Sequence, residues 1–128
     1  MKTVVVLGAS DNKDRYSNRA INLLAENGYS VIGVHPTLEN IDGFPVVKNL
    51  ADVKTPVYTI TVYVNPTLLE KLTADIINLK PQRVILNPGT ESSIVENELI
   101  KNNIPVQKSC TLVLLNTGQF EKNFNPSV

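Results

Sequence analysis

The unbroken apolar run Val4-Val5-Val6-Leu7, passing directly into Gly8-Ala9-Ser10, constrains this chain more than any other stretch. β-Branched residues without polar alternation suit a strand covered on both faces. Tyr16-Ser17-Asn18 then opens a helical pattern with Ala20, Ile21, Leu23 and Leu24 on one side. Ser17 is the expected N-cap and Gly28 the stop. A strand that feeds a glycine turn and a helix start builds an anion site. The first N–H groups of the helix have no partner inside it, and its dipole is positive at that end. The loop points to a ligand that carries phosphate.

The same alternation continues along the chain. Further strands are expected over 30–34, 57–64, 83–86 and 104–107. Asn65-Pro66 opens a helix, with Asn as N-cap and Pro at the first helical position. Leu68, Leu69, Leu72, Ile76 and Leu79 form its apolar stripe, expected in the core, and Pro81 ends it. Ser93 and Glu96 have capping-box spacing for a third helix, and 111–115 begins a short fourth. The proline-bearing segment 35–56 is irregular. It contains a small extended piece over 44–47 and a single helical turn over 50–52. Strands separated by helices imply right-handed crossovers and an open parallel sheet. The expectation is an α/β fold: one Rossmann-like, three-layer domain over 1–118, with a five-stranded, mainly parallel sheet. A C-terminal tail, expected to be disordered, covers 119–128.

A length of 128 residues suits one domain with a real core. Lys+Arg and Asp+Glu are both 12, and this zero balance argues against nucleic acid or an anionic membrane surface as the main partner. One cysteine and one histidine leave no internal disulfide and speak against a structural zinc site. The N-terminal apolar run is shorter than the ~7–15 residues of a signal peptide's core or the ~20 of a membrane span. The default expectation is a soluble cytoplasmic protein whose partner is a small molecule.

In an open parallel sheet the ligand lies outside the carboxyl ends of the strands. That rule selects the loops 8–18, 35–37, 63–66, 87–90 and 108–111. Gly8-Ala9-Ser10 departs from the G-x-G-x-x-G fingerprint, since Ser10 and Lys13 occupy its second and third glycine positions. The second strand ends in Val34-His35-Pro36, where NAD sites usually place an acidic residue. An NAD site is therefore disfavoured.

Seven short segments occur in the order and spacing of a known family. They are Gly8-Ala9-Ser10, Tyr16-Ser17-Asn18, Gly28-Tyr29-Ser30-Val31, Val34-His35-Pro36, Gly43-Phe44-Pro45-Val46, Val62-Tyr63-Val64-Asn65-Pro66 and Asn87-Pro88-Gly89. Together they resemble the small CoA-binding domain proteins, which are similar to the N-terminal domain of the succinyl-CoA synthetase alpha subunit. The resemblance implies a coenzyme A site spread over several loops. Gly8, Ala9, Ser10, Lys13, Tyr16, Ser17 and Asn18 match its phosphate side. His35, Pro36 and Thr37 match the adenosine end, where family members often have Asn-Pro-Lys. Val62, Tyr63 and Asn65 match the third-strand edge, and Asn87, Pro88 and Gly89 the loop after the fourth strand.

Plainer roles stand beside these. Ser17 and Asn18 suit helix capping, Pro88-Gly89 suits a type II turn, and Lys13 and Arg15 suit solvated surface charge. Cys110, in an apolar stretch, suits a small core residue. His35 has no local partner to orient it as a general base. The function expected is binding of coenzyme A or an acyl-CoA without catalysis. The alternatives are an NAD(P)- or other nucleotide-dependent enzyme, and a protein-interaction subunit with a vestigial ligand site.

Overall fold

The apolar run at the N-terminus becomes the central strand. In the computed structural model, which describes residues 1–122, β1 (Thr3–Leu7) is buried along its whole length. It pairs in parallel with β2 (Ser30–Val34) on one side and β5 (Thr59–Val62) on the other. Outside β2 lies a hairpin, β3 (Asn40–Ile41) and β4 (Phe44–Val47). Outside β5 come β6 (Arg83–Leu86) and β7 (Val106–Lys108). The order is β3-β4-β2-β1-β5-β6-β7, with only β3 antiparallel to its neighbour.

Helices cover both faces, as the two-sided burial of β1 requires. Val5 and Leu7 pack with Ile60, Val62, Val84 and Leu86 against Leu69 and Ile76 of α2 (Pro66–Leu79) and Val95 and Leu99 of α3 (Ser93–Lys101). Val4 and Val6 point the other way. They pack with Ile85 against Ile21 and Leu24 of α1 (Tyr16–Glu26) and Leu115 of α4 (Thr111–Asn116). Each such side chain contributes about 1.5–3 kcal/mol on full burial. The three-layer α/β architecture follows.

Among the described residues the sheet has seven strands, not the five expected. The added pair comes from Asp42-Gly43, which stand at φ 51 and 90 between β3 and β4. Positive φ at both central residues is the primed turn that matches strand twist in a two-residue hairpin. The 50–52 turn is present as a single 3-10 turn, Leu50–Asp52.

Several boundaries also move. α1 starts earlier than expected, with Arg15 rather than Ser17 at the N-cap position and Ser17 inside the first turn. The loop is already turning there, because Asn12 accepts from the Asp14 N–H through Oδ1 (2.9 Å) and from the Arg15 N–H through its carbonyl (3.0 Å). Ser92, not Ser93, caps α3, its hydroxyl accepting from the Val95 N–H (3.3 Å). Glu96 turns instead to Lys108 (3.4 Å). β5 is shorter than the 57–64 expected. β7 starts at Val106 rather than 104 because the Ile104 N–H closes α3 on Leu99 O (2.9 Å) and Pro105 has no N–H to give a ladder. Leu68, expected in the core stripe, is exposed.

Part of the segment placed in the tail packs on the domain. Phe120 is buried, and its carbonyl accepts from Arg83 Nη1 (2.6 Å). The Arg83 guanidinium also donates to Thr59 and Gln107 and lies 4.4 Å from the Phe120 ring centroid. Glu121 accepts from Lys2 and from the Tyr29 hydroxyl. Residues 123–128 lie outside the described residues.

Candidate functional site

The chain leaves β1 toward β2 through α1 and leaves β5 toward β6 through α2, so the direction of winding reverses between β1 and β5. At that switch point the carboxyl ends of the two strands diverge and open a crevice. A cleft of about 460 Å³ lies there, lined by Gly8, Ala9, Ser10, Asp14, Arg15, Tyr16, Ser17 and Tyr63.

Two glycines let the backbone approach this closely. Gly8 stands at φ 89, and a Cβ on it would come within 3.0 Å of the Tyr63 carbonyl carbon and of Val64 Cγ1. Gly33 on β2 leaves room for the loop from behind, since its Cβ would sit 2.9 Å from Ala9 Cβ. The Gly8 and Ala9 N–H groups both donate to Val34 O (3.3 and 3.1 Å). The turn is thereby tied to the end of β2.

α1 meets the cleft with its N-terminus bare. Arg15 provides no side-chain cap, and the first turn contains no acidic residue. Among the described residues no acceptor takes the Tyr16 or Ser17 N–H, whereas the Asn18 N–H bonds back to Arg15 O (3.1 Å). Unpaired donors and the positive end of the helix dipole therefore face an open crevice. Ser10 and Ser17 add hydroxyls. Arg15 is exposed and has no ion pair among the described residues, so it brings a cation. This donor set suits a ligand with several phosphate oxygens.

Tyr63 forms the opposite wall. Burial pushes its phenol up to about 12, against an opposing pull from the Thr111 and Thr61 hydroxyls. Those hydroxyls flank the Tyr63 oxygen, yet among the described residues it completes no hydrogen bond of normal geometry.

The structure brings six of the expected residues together: Gly8, Ala9, Ser10, Tyr16, Ser17 and Tyr63. The others lie outside this lining. Lys13 turns away to pair with Asp42 (3.0 Å). Asn18 is buried and donates to Ser10 O (2.9 Å) and Asp42 Oδ2 (3.1 Å). His35 Nδ1 accepts from the Thr37 and Leu38 N–H groups (3.1 and 3.0 Å), so the imidazole holds its own turn. Pro36 and Thr37 are exposed on that turn.

Val62 is a core residue, and Asn65 caps α2 by accepting from the Leu68 N–H (2.9 Å). Asn87 is buried and engaged at both ends of its amide. Its Nδ2 donates to Thr61 Oγ1 (2.8 Å) and Val62 O (2.9 Å), and its Oδ1 accepts from the Thr111 N–H (2.9 Å). Pro88 and Gly89 are exposed on the turn that the Thr90 N–H closes on Asn87 O (3.0 Å). Asp14 and Arg15 lie in the 8–18 loop that the strand-end rule selects, where Arg15 was read as surface charge, and Gly33 lies outside every selected loop. The position of Arg15 just before the helix start was the available signal.

A doubly wound sheet with a bare helix N-terminus at its switch point defines a Rossmann-like domain with a cleft suited to a phosphate-bearing ligand. The chain belongs to the CoA binding domain family, whose model matches residues 2–116. A crystal structure of an uncharacterized protein is similar at 36% identity and a TM-score of 0.88, covering 94% of this chain and 98% of that one. A cell-free-produced protein from Thermus thermophilus is similar at 31% identity and a TM-score of 0.86, over 93% and 90% of the two chains. A dinucleotide-forming acetyl-coenzyme A synthetase from Ca. Korarchaeum cryptofilum shares the fold at 15% identity and a TM-score of 0.73; the match covers 84% of this chain and 25% of that one. The uncharacterized protein YneT of Bacillus subtilis is 31% identical over 62 residues, 48% of this chain and 46% of that protein. The match thus spans about half of this curated relative. Among the described residues, no helix is long and apolar enough to cross a membrane.

Proposed function

We propose that this chain binds coenzyme A or an acyl-CoA in the cleft between β1 and β5, as a binding or regulatory module that does no chemistry of its own. The observation that carries this reading is the bare N-terminus of α1 facing the cleft, with Tyr16 and Ser17 N–H groups unclaimed and Arg15 beside them. Membership of the CoA-binding family supplies the ligand class. Bound there, the ligand's pyrophosphate accepts from the helix N–H groups and the serine hydroxyls, and Arg15 offsets its charge. The non-catalytic part of the reading rests on His35, the sole histidine, which commits Nδ1 to its own turn.

Two-dimensional NMR of the amide groups during titration with coenzyme A tests the site. The largest shifts are expected at Gly8, Ala9, Ser10, Tyr16 and Ser17, and Ser10→Asp abolishes them by charge repulsion. Shifts concentrated elsewhere, or unaffected by Ser10→Asp, overturn the assignment.

A further inference from the structure

Asp42 lies at the tip of the β3–β4 hairpin, far from the phosphate loop in sequence but bonded to the elements that hold it. Its carboxylate accepts from Asn18 Nδ2 and Asn22 Nδ2 (both 3.1 Å) through Oδ2, and from Lys13 Nζ (3.0 Å) through Oδ1. The same Asn18 Nδ2 donates to Ser10 O (2.9 Å). Asn22 in turn donates to Asn18 O (3.1 Å) and lies 3.3 Å from Asn18 Oδ1. Asn18 is only 3% exposed, so its amide has little freedom to choose other partners.

We propose that Asp42 is a positioning residue for the phosphate loop, acting through Asn18 on the Ser10 carbonyl. The proposal deepens the coenzyme A reading, on which its functional meaning rests. In a trans peptide the carbonyl and the next N–H point in opposite directions, so fixing Ser10 O fixes the Asp11 N–H as well. The Ser10 carbonyl and the Asp42 carboxylate both only accept, so they select the same Nδ2 end of Asn18. Asp42 adds a charged second anchor on that nitrogen, from outside the loop, and so holds the amide at the position from which it reaches Ser10 O. The hairpin owes its place to Asp42-Gly43 in the primed turn and to Ile41, which is buried against the α1 layer. A remote turn thereby sets the geometry of the loop that lines the cleft.

A double-mutant cycle with two readouts tests this. The first readout, amide hydrogen exchange of the ligand-free protein, follows the loop-bonded N–H groups of Asn12, Asp14 and Arg15. The second is coenzyme A affinity. Asp42→Ala and Asn18→Ala should each speed exchange at these amides and each weaken coenzyme A about tenfold. The double variant should be no worse than either single one. Asp42→Asn, which keeps one acceptor oxygen, should fall between Asp42→Ala and the wild type.

Additive effects of the two substitutions, or unchanged loop exchange in a folded Asp42→Ala protein, overturn the positioning role. Failure of the wild type to bind coenzyme A overturns the functional reading instead, and the exchange data still decide the positioning role.

Discussion

Asn87 caps a helix to which it does not belong: its Oδ1 accepts from the N–H of Thr111, the first residue of α4, at 2.9 Å. The other end of the same amide ties Thr61 and Val62 on β5. One buried side chain therefore holds the end of β6, the end of β5 and the start of α4 together, behind the Tyr63 wall of the cleft. Asn87→Ala leaves the Thr111 N–H and the Val62 carbonyl without these partners. The expected loss is about 2–3 kcal/mol of stability. Chemical denaturation measures it, and a loss below about 0.5 kcal/mol would contradict the capping role.

Gly8 has two independent reasons to be glycine, its φ of 89 and the 3.0 Å approach of its virtual Cβ to the Tyr63 backbone. Gly8→Ala should cost about 1–3 kcal/mol from backbone strain alone. It should also push the β1 loop away from β5 and weaken coenzyme A. Thermal melts and binding titrations on the same protein check both. A stable variant with unchanged affinity would mean that the close approach is dispensable.

The two cations of the loop are not equivalent. Arg15 lines the cleft, whereas Lys13 is held on Asp42. Arg15→Met should weaken coenzyme A more than Lys13→Met and flatten the dependence of affinity on salt more strongly. Titrations at two ionic strengths make the comparison. Equal effects, or a larger one at Lys13, would place the phosphates on the other side of the loop.

Glu121 fastens the C-terminal segment to Lys2 and Tyr29, at the amino ends of β1 and β2 and away from the cleft. Hydrogen bonds from Lys2 and then Tyr29 hold its carboxyl below the usual carboxylate range. A group with a lowered folded pKa stabilises above its unfolded value, here 4.5. That contribution is lost as pH falls through the folded pKa. The pair with Lys2 is half-exposed, so the effect is modest. Between neutral pH and about pH 3, the wild type should lose more stability than Glu121→Gln. Equal losses in paired melts would show that the contact contributes nothing to folding.

Local chemistry made most of the layer structure legible. The uninterrupted valines of β1, the Asn65-Pro66 start of α2 and the turn at 50–52 each follow from a few adjacent residues. The extended piece over 44–47 was legible as well and is β4, but its partner β3 has only two residues and offers almost no periodicity beside the Asp42-Gly43 turn. Ser93 has the capping-box spacing to Glu96, and only the fold of the chain, which pairs Glu96 with Lys108, gives the cap to Ser92. At the site, the glycine loop and helix start were readable because they are contiguous. The bonds of Asn87 to Thr111 and of Asp42 to Asn18 join distant segments of chain, and no local pattern announces them. Polar residues at the carboxyl ends of strands thus looked alike in sequence, whether they line the cleft or stitch the elements around it.

In the proposed complex the bare N-terminus of α1 takes the phosphates of coenzyme A. Isothermal titration of the ligand-stripped protein with coenzyme A, repeated with NAD and with ATP, tests it most directly. Coenzyme A should bind with a dissociation constant on the order of micromolar, with NAD much weaker. No heat from coenzyme A, together with a melting temperature that it leaves unchanged, would contradict it.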